Sequence, residues 1–344
     1  MGVIAKKILL WCVFCILLTI GFLEASAINR FHGASLRFNT PINGDAAYRA
    51  RQYSINNIED NSLWPTFWHE CTAALTAGAR TAQTNAISFS GDAALVWPAE
   101  FLVGSAPSSI DARGIAVSRP LAHRLWGSTD IVGMTVYVDE EPRIVRGVFE
   151  GSTELALISF HIEDTAQSWT AVELSSHTAE RSGPTRSDAE SFAILSGLGR
   201  PDYVLMGGAM AFARFMALFP ILIPVVYGFA LIVKFLLKYY RAALVPLCFV
   251  AFILFAMLLP ILLDALPPWI IPTYWSDFSF WSALMRQASD SVREFLSIPP
   301  MLRDVELRMR LLRQVGILVV SVCFGVVIAV SAVPEDRKSR KIVL

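Results

Sequence analysis

Four apolar runs frame this chain, and residues 28–205, between the first and the second, contain none of comparable length. The runs cover 8–23, 215–233, 242–263 and 315–333, which is 16, 19, 22 and 19 residues. About 20 residues of helix cross the ~30 Å hydrocarbon layer of a membrane. A backbone there must satisfy its own hydrogen bonds, so each run is expected to be a helix. The chain is therefore read as a membrane protein, in keeping with 54% hydrophobic and 17% charged residues.

The first run follows Lys6 and Lys7 and ends near Ala25-Ser26-Ala27. That pattern fits either a retained anchor or a cleavable signal peptide. In both cases the chain after it leaves the cytoplasm. Orientation follows from the lysines, which are Lys6, Lys7, Lys234, Lys238, Lys338 and Lys341. With both termini and the 234–241 loop inside, every lysine is cytoplasmic, as the positive-inside rule requires. Residues 264–314 then form a second outside segment. Pro220 and Pro224 fall in the second run, Pro246 and Pro260 in the third. They read as tolerated distortions or as kinks in a moving helix.

Short apolar bursts in the outside stretch suggest strands at 86–89, 94–97, 114–117, 134–138, 144–149, 155–162 and 169–174. Helices are expected over 68–79, 119–126 and 187–198. The expected fold is an α+β domain with its own core.

Residues 114–151 spell out one unit of it. Ser118 suits a helix N-cap, with its hydroxyl accepting an early backbone N–H, and Pro120 suits the first turn. Leu121 and Leu125 share a face. His123 and Arg124 flank that face and read as solvated. Gly127 is expected to end the helix in a left-handed conformation, and Gly133 to turn into a strand. Asp139-Glu140-Glu141-Pro142 should join a hairpin.

The order Ala116-Val117-Ser118, Leu121-Ala122, Leu125-Trp126-Gly127-Ser128, Asp130, Val132-Gly133, then Ile144-Val145-Arg146-Gly147-Val148-Phe149 resembles the periplasmic core domain of the MacB/FtsX-type ABC transporter permease family. Glu100-Phe101-Leu102-Val103-Gly104 is similar to the stretch that precedes the motif there. The motif match covers 100–151. One helix, an outside domain and then three helices match the family over the whole chain, which favours the retained anchor.

The resemblance implies an α+β extracytoplasmic domain inserted between transmembrane helices 1 and 2 of a four-helix membrane protein. The implied division is an anchor at 1–27, a core domain at 28–205, helix 2 and a loop at 206–241 and helix 3 at 242–265. An outside aromatic and amphipathic segment follows at 266–314, then helix 4 and a tail at 315–344. The implied activity is that of a non-enzymatic permease-like subunit in the cell membrane of a bacterium. It would relay motion from a separate cytoplasmic ABC ATPase, beside a second permease subunit. Two departures stand out. The family's loop between helices 2 and 3 carries a Glu-rich coupling segment, whereas here only the eight residues 234–241 are present. The loop between helices 3 and 4 is short in the family and has 51 residues here. An uncoupled, anchored scaffold of the cell envelope is the alternative.

Little else carries chemistry. Net charge is zero, so no basic surface for nucleic acid exists. Cys71 is the one cysteine outside the apolar runs, so the outside domain cannot form an internal disulfide. Phe67-Trp68-His69-Glu70-Cys71 reads as an aromatic anchor at a helix start, because neighbours on a helix point about 100° apart. His161 and His177 stand alone. No nucleophile elbow and no phosphate-binding loop occurs, and neither a cofactor nor a metal site is expected. The aromatic stretch 267–281 reads as an interfacial belt or a hydrophobic contact. Beyond it, Leu284, Val292, Leu296, Leu302, Val305, Met309 and Leu312 mark two amphipathic helices split by Pro299-Pro300. Lys238, Tyr239, Tyr240 and Arg241 are the candidate contact for an ATPase; lipid headgroups are the competing partner.

Overall fold

The structure, a computed structural model, describes residues 3–28, most of 30–206, scattered positions between 213 and 293, and 296–331. Runs 215–233 and 242–263 lie largely outside the described residues. So, wholly, do 267–281, His177, and Lys238, Tyr239, Tyr240 and Arg241. The chain forms two compact units: 30–207 with 281–305, and 1–29 with 208–280 and 306–344.

The first unit is the α+β domain. Its strands are β1 Ala34–Asn43, β2 Leu63–Ala77, β3 Arg80–Ser90, β4 Phe101–Gly104 and β5 Gly114–Ser118. They continue as β6 Thr135–Val138, β7 Glu141–Phe149, β8 Leu155–Ser159, β9 Ser168–Ser176 and β10 Tyr203–Met206. They pair in the order β10-β1-β9-β2-β3-β8-β5-β7-β4, with β6 joining β2 to β7. The pairing β2-β3-β8-β5-β7-β6-β2 thus closes on itself, leaving β9, β1 and β10 as a wing on β2. Among the described residues, only β3 with β8 and β5 with β7 are parallel.

Helices complete two cores. In the first, α4 Arg119–Trp126 sets Leu121, Ala122 and Leu125 among Leu75, Val117, Val136, Val145 and Ile158 of the ring. In the second, α2 Gly44–Asn56 and α5 Arg186–Leu195 bury Ala47, Ala50, Ala189 and Phe192 with Leu36, Val172 and Leu174 of the wing.

Most expected strands appear where the sequence suggests them, and two expectations are corrected. Residues 68–79 are no helix; 68–77 belong to the long strand β2, and 78–79 turn the chain into β3. The first part of β2, Leu63–Trp68, is covered on both faces, and from Thr72 to Ala77 burial alternates, but Ala74 stands on the less buried side between the buried Ala73 and Leu75 and hides the alternation in the sequence. Its alanines then mimic a helix former. Residues 94–97 are no strand. Asp92 caps the short helix α3 Ala93–Val96 by accepting from the Ala94 N–H at 2.9 Å.

The 114–151 unit folds nearly as read. Gly127 is left-handed, with φ 74°, and Asp139 and Glu140 turn the β6–β7 hairpin with φ 46° and 75°. That turn matches the twist of the paired strands. Ser118 does occupy the N-cap, but its hydroxyl does not cap the helix; it accepts the Leu155 N–H at 3.0 Å, tying the helix start to β8. Gly147 is glycine because β4 runs across it. A Cβ there would stand 2.7 Å from the Phe101 ring and press on the Ser105 carbonyl.

The second unit contains α1 Val3–Ile28 and, from residue 306, the helix α6 Leu302–Ser331. Both are long and apolar enough to cross a membrane, over Ile8–Ile28 and Leu302–Ile328. α6 begins just past Pro299-Pro300 and runs without a break from the amphipathic stretch into the apolar run. Within this unit, Ala25 and Ile28 are buried with Ala213, Ala217, Leu307 and Leu311. Glu24 pairs with Arg313 at 2.5 Å and Arg310 at 3.5 Å.

Candidate functional site

A chain separation of 267 residues ends in a single ion pair: Arg37 Nη2 lies 3.0 Å from Asp304 Oδ1. The pairing of three strands prepares this spot. Ser35 and Thr66 both register with Glu173, and Arg37 and Trp68 both register with Ala171. Direct cross-strand partners share a face, so Ser35, Arg37 and Glu173 of the wing and Trp68 of β2 project together, opposite Leu36 and Val172. Ala171 has only a methyl group between its two large neighbours. The Arg37 guanidinium fills that space and lies 4.6 Å from the centre of the Trp68 ring.

Glu173 is the hub. Its Oε1 accepts from Ser35 Oγ at 2.6 Å, Trp68 Nε1 at 3.0 Å and Arg37 Nη1 at 3.4 Å. Arg303 Nη1 adds an ion pair at 3.2 Å. Arg303 also lies 5.5 Å above Phe31. All four charged side chains are almost wholly buried: Glu173 is 1% exposed, Asp304 2%, Arg37 4% and Arg303 5%. Two positive and two negative charges cancel, as burial demands.

Arg303 and Asp304 belong to the first turn of α6, inside the same compact unit as the strands. The first N–H groups of a helix have no partners within it. Here the domain supplies one. Glu70 of β2 accepts the Leu302 N–H, and Asp304 turns back to accept the Met301 N–H at 3.4 Å. Met301 and Leu302 also pack against the Trp68, Ile87, Phe89 and Leu157 cluster. Negative groups at a helix start are favoured by its dipole.

Glu70 titrates unusually. Burial raises its carboxyl from 4.5 to about 6, and Asp304 adds to the rise; the Leu302 and Arg303 N–H groups and Arg37 oppose it. Glu70 is the fifth charge beside a balanced set of four.

The neighbouring residues do not join this site. Strand geometry sends His69 to the face opposite Trp68 and Glu70. There its ring meets Trp169 edge-on at 5.5 Å, and burial lowers its pKa. Cys71 Sγ lies 3.5 Å from Ser88 Oγ. His123 is exposed, and Arg124 pairs with Glu154. His161 is half-buried, 3.6 Å from Glu163. Among the described residues, no group of three His, Cys, Asp or Glu side chains could hold a metal ion. The arrangement offers no nucleophile with a base; what it can do is hold a helix start on a sheet. Sequence reasoning missed this cluster, since its members are scattered from 35 to 304. The one local signal was Arg303-Asp304 at the start of a helix next to a proline pair.

No family model matches the chain, and no curated protein does. Its fold is similar to three solved structures. One is the extracellular domain of the noncanonic ABC-type transporter YknZ from Gram-positive bacteria. It is 12% identical, covering 50% of this chain and 97% of that one, with a TM-score of 0.39. Another is the periplasmic region of MacB from Actinobacillus actinomycetemcomitans. That one is 11% identical over 52% of this chain and 89% of the other, with a TM-score of 0.40. The third is a domain of a permease protein from Porphyromonas gingivalis, 13% identical over 50% of this chain and 86% of the other, with a TM-score of 0.35.

Proposed function

We propose that this chain is a permease-like membrane subunit of a MacB/FtsX-type ABC system, relaying conformational change from a separate cytoplasmic ATPase to its extracytoplasmic domain. The observation that carries the proposal is the 114–151 unit. The residues that resemble the family form strand, proline-started helix, left-handed glycine and hairpin in the order the resemblance implies. This unit belongs to a domain that lies in sequence between helices long enough to span a membrane. The chain is read as a four-span protein of the cell membrane, with both termini and 234–241 cytoplasmic and a second permease subunit beside it. Retention of the first span is supported by Ala25 and Ile28, which are buried among residues of later segments rather than left extended for cleavage.

ATP would be bound by the partner, since the chain carries no phosphate-binding loop of its own. Lys238, Tyr239, Tyr240 and Arg241 remain the proposed grip, because this stretch alone joins two spans directly. Aromatic anchors rimmed by charge suit such a contact. The brevity of the loop favours the second reading, an anchored envelope scaffold with no ATPase.

Co-purification from native membranes after crosslinking tests the choice. Wild type should bring down an ABC ATPase, and a Tyr239→Ala/Tyr240→Ala variant at matched expression should lose it. Recovery with both would move the contact to the termini. Recovery with neither would replace the permease by the scaffold.

A further inference from the structure

We propose that Arg37, Glu70, Glu173, Arg303 and Asp304 form a releasable latch that fastens the first turn of the last membrane-length helix to the domain's sheet, making α6 a second mechanical input to the domain. This deepens the permease reading and rests on it for its purpose; the latch itself can be tested without an ATPase.

Three observations lead here. First, the contact is ionic where an apolar one would serve stability as well or better. Replacing a buried ion pair by well-packed hydrophobic residues is often neutral or stabilising, whereas deleting one member strands a charge. A contact of this kind is held firmly in one geometry and poorly in all others. Second, it grips the helix at its least self-sufficient point. The Leu302 N–H has its partner in Glu70 on β2, and the Asp304 carboxylate divides itself between Arg37 of β1 and the Met301 N–H. Third, the chain just upstream is Pro299-Pro300, which cannot extend the helix backward. The force path from α6 into the domain therefore runs through the side chains of the first turn as well as through the backbone.

The groups facing Glu70 are Arg37 from β1 and Asp304 with the Leu302 and Arg303 N–H groups from α6. Glu173 from β9 completes the cluster behind Arg37. Arg37 and Arg303 hold the sheet-side and helix-side carboxylates crosswise, Arg37 to Asp304 and Arg303 to Glu173. Movement of α6 along its axis would have to break both pairs together.

Hydrogen exchange on the full chain in lipid nanodiscs reads this directly. The Leu302 and Arg303 amides have Glu70 as their partner, so their exchange reports the latch; the Val305 N–H is bonded to the Met301 carbonyl at 2.9 Å and serves as a helix reference. In wild type, amides 302 and 303 should be protected but should open at lower free energy than those of β3 and β8. Asp304→Asn should speed their exchange about a hundredfold, by stranding Arg37, while amides of β5 and β7 keep their rates. Glu70→Gln, a milder change at a half-buried site, should speed 302 and 303 less and should fold normally if Asp304→Asn does not. Unprotected 302 and 303 amides in wild type would overturn the latch, as would equal rates in wild type and both variants. Exchange of 302 and 303 only together with the whole domain would also overturn it, showing a fixed brace instead. None of these outcomes depends on whether an ATPase is recovered.

Discussion

Glu70 carries the odd charge of the buried set, and its titration gives the residue-scale prediction. Its pKa is raised from 4.5 to about 6 by burial. Between those values the folded protein keeps a proton that the unfolded chain has lost, so stability falls as pH rises through that window. The melting temperature of wild type relative to Glu70→Gln should drop between pH 4.5 and pH 6 and level off above. A difference that stays flat across the window would mean that Glu70 is solvated. The short helix α4 offers a second test. Leu125 is 3% exposed and packs on the ring, whereas His123 is exposed. Leu125→Ala should cost about 2–5 kcal/mol and His123→Ala less than about 0.5 kcal/mol. Denaturant unfolding would show it; equal losses would contradict the packing described. Both residues could be placed from sequence, because the Leu121–Leu125 spacing is local. Glu70 could not, because its partner lies 232 positions away.

At the scale of elements, legibility followed burial pattern. The 114–151 unit could be read because Pro120, Gly127 and Gly133 each have a steric reason to stand where they do, and the polar run at 139–142 marks the hairpin. β2 was misread because its alanines blur the alternation: Ala73, Leu75 and Ala77 are buried, but Ala74, on the less buried side, is also apolar. α2 went unseen for a different reason. Its buried stripe is Gly44, Ala47, Ala50 and Ser54, all small, and Asn43 caps it by accepting the Ala46 N–H at 2.8 Å. The cap and the spacing were present in the sequence, but no large apolar residue advertised them. The β4–β7 crossing makes its own prediction. Gly147→Ala would drive a methyl into the Phe101 ring and the Ser105 carbonyl. It should cost about 1–3 kcal/mol and be partly rescued by Phe101→Leu. A neutral Gly147→Ala, measured by thermal unfolding, would mean that β4 does not run across this glycine.

At the scale of the whole molecule, hydropathy marks apolar runs of membrane length on either side of the domain, and two described helices, over Ile8–Ile28 and Leu302–Ile328, are long and apolar enough to cross a membrane. The sequence did not reveal that the last helix is bonded into the domain. That contact needs the register of β1, β9 and β2 to bring Arg37 and Glu173 to one face. The relay requires that the domain and the 234–241 loop lie on opposite sides of the membrane. Cysteine accessibility in intact cells tests that arrangement most directly, on a background lacking Cys12, Cys15, Cys71, Cys248 and Cys323. Glu180→Cys and Asp290→Cys should react with an impermeant reagent from outside. Lys238→Cys and Ser339→Cys should react only after the membrane is opened. Labelling of position 238 from outside would contradict the four-span arrangement and, with it, the relay.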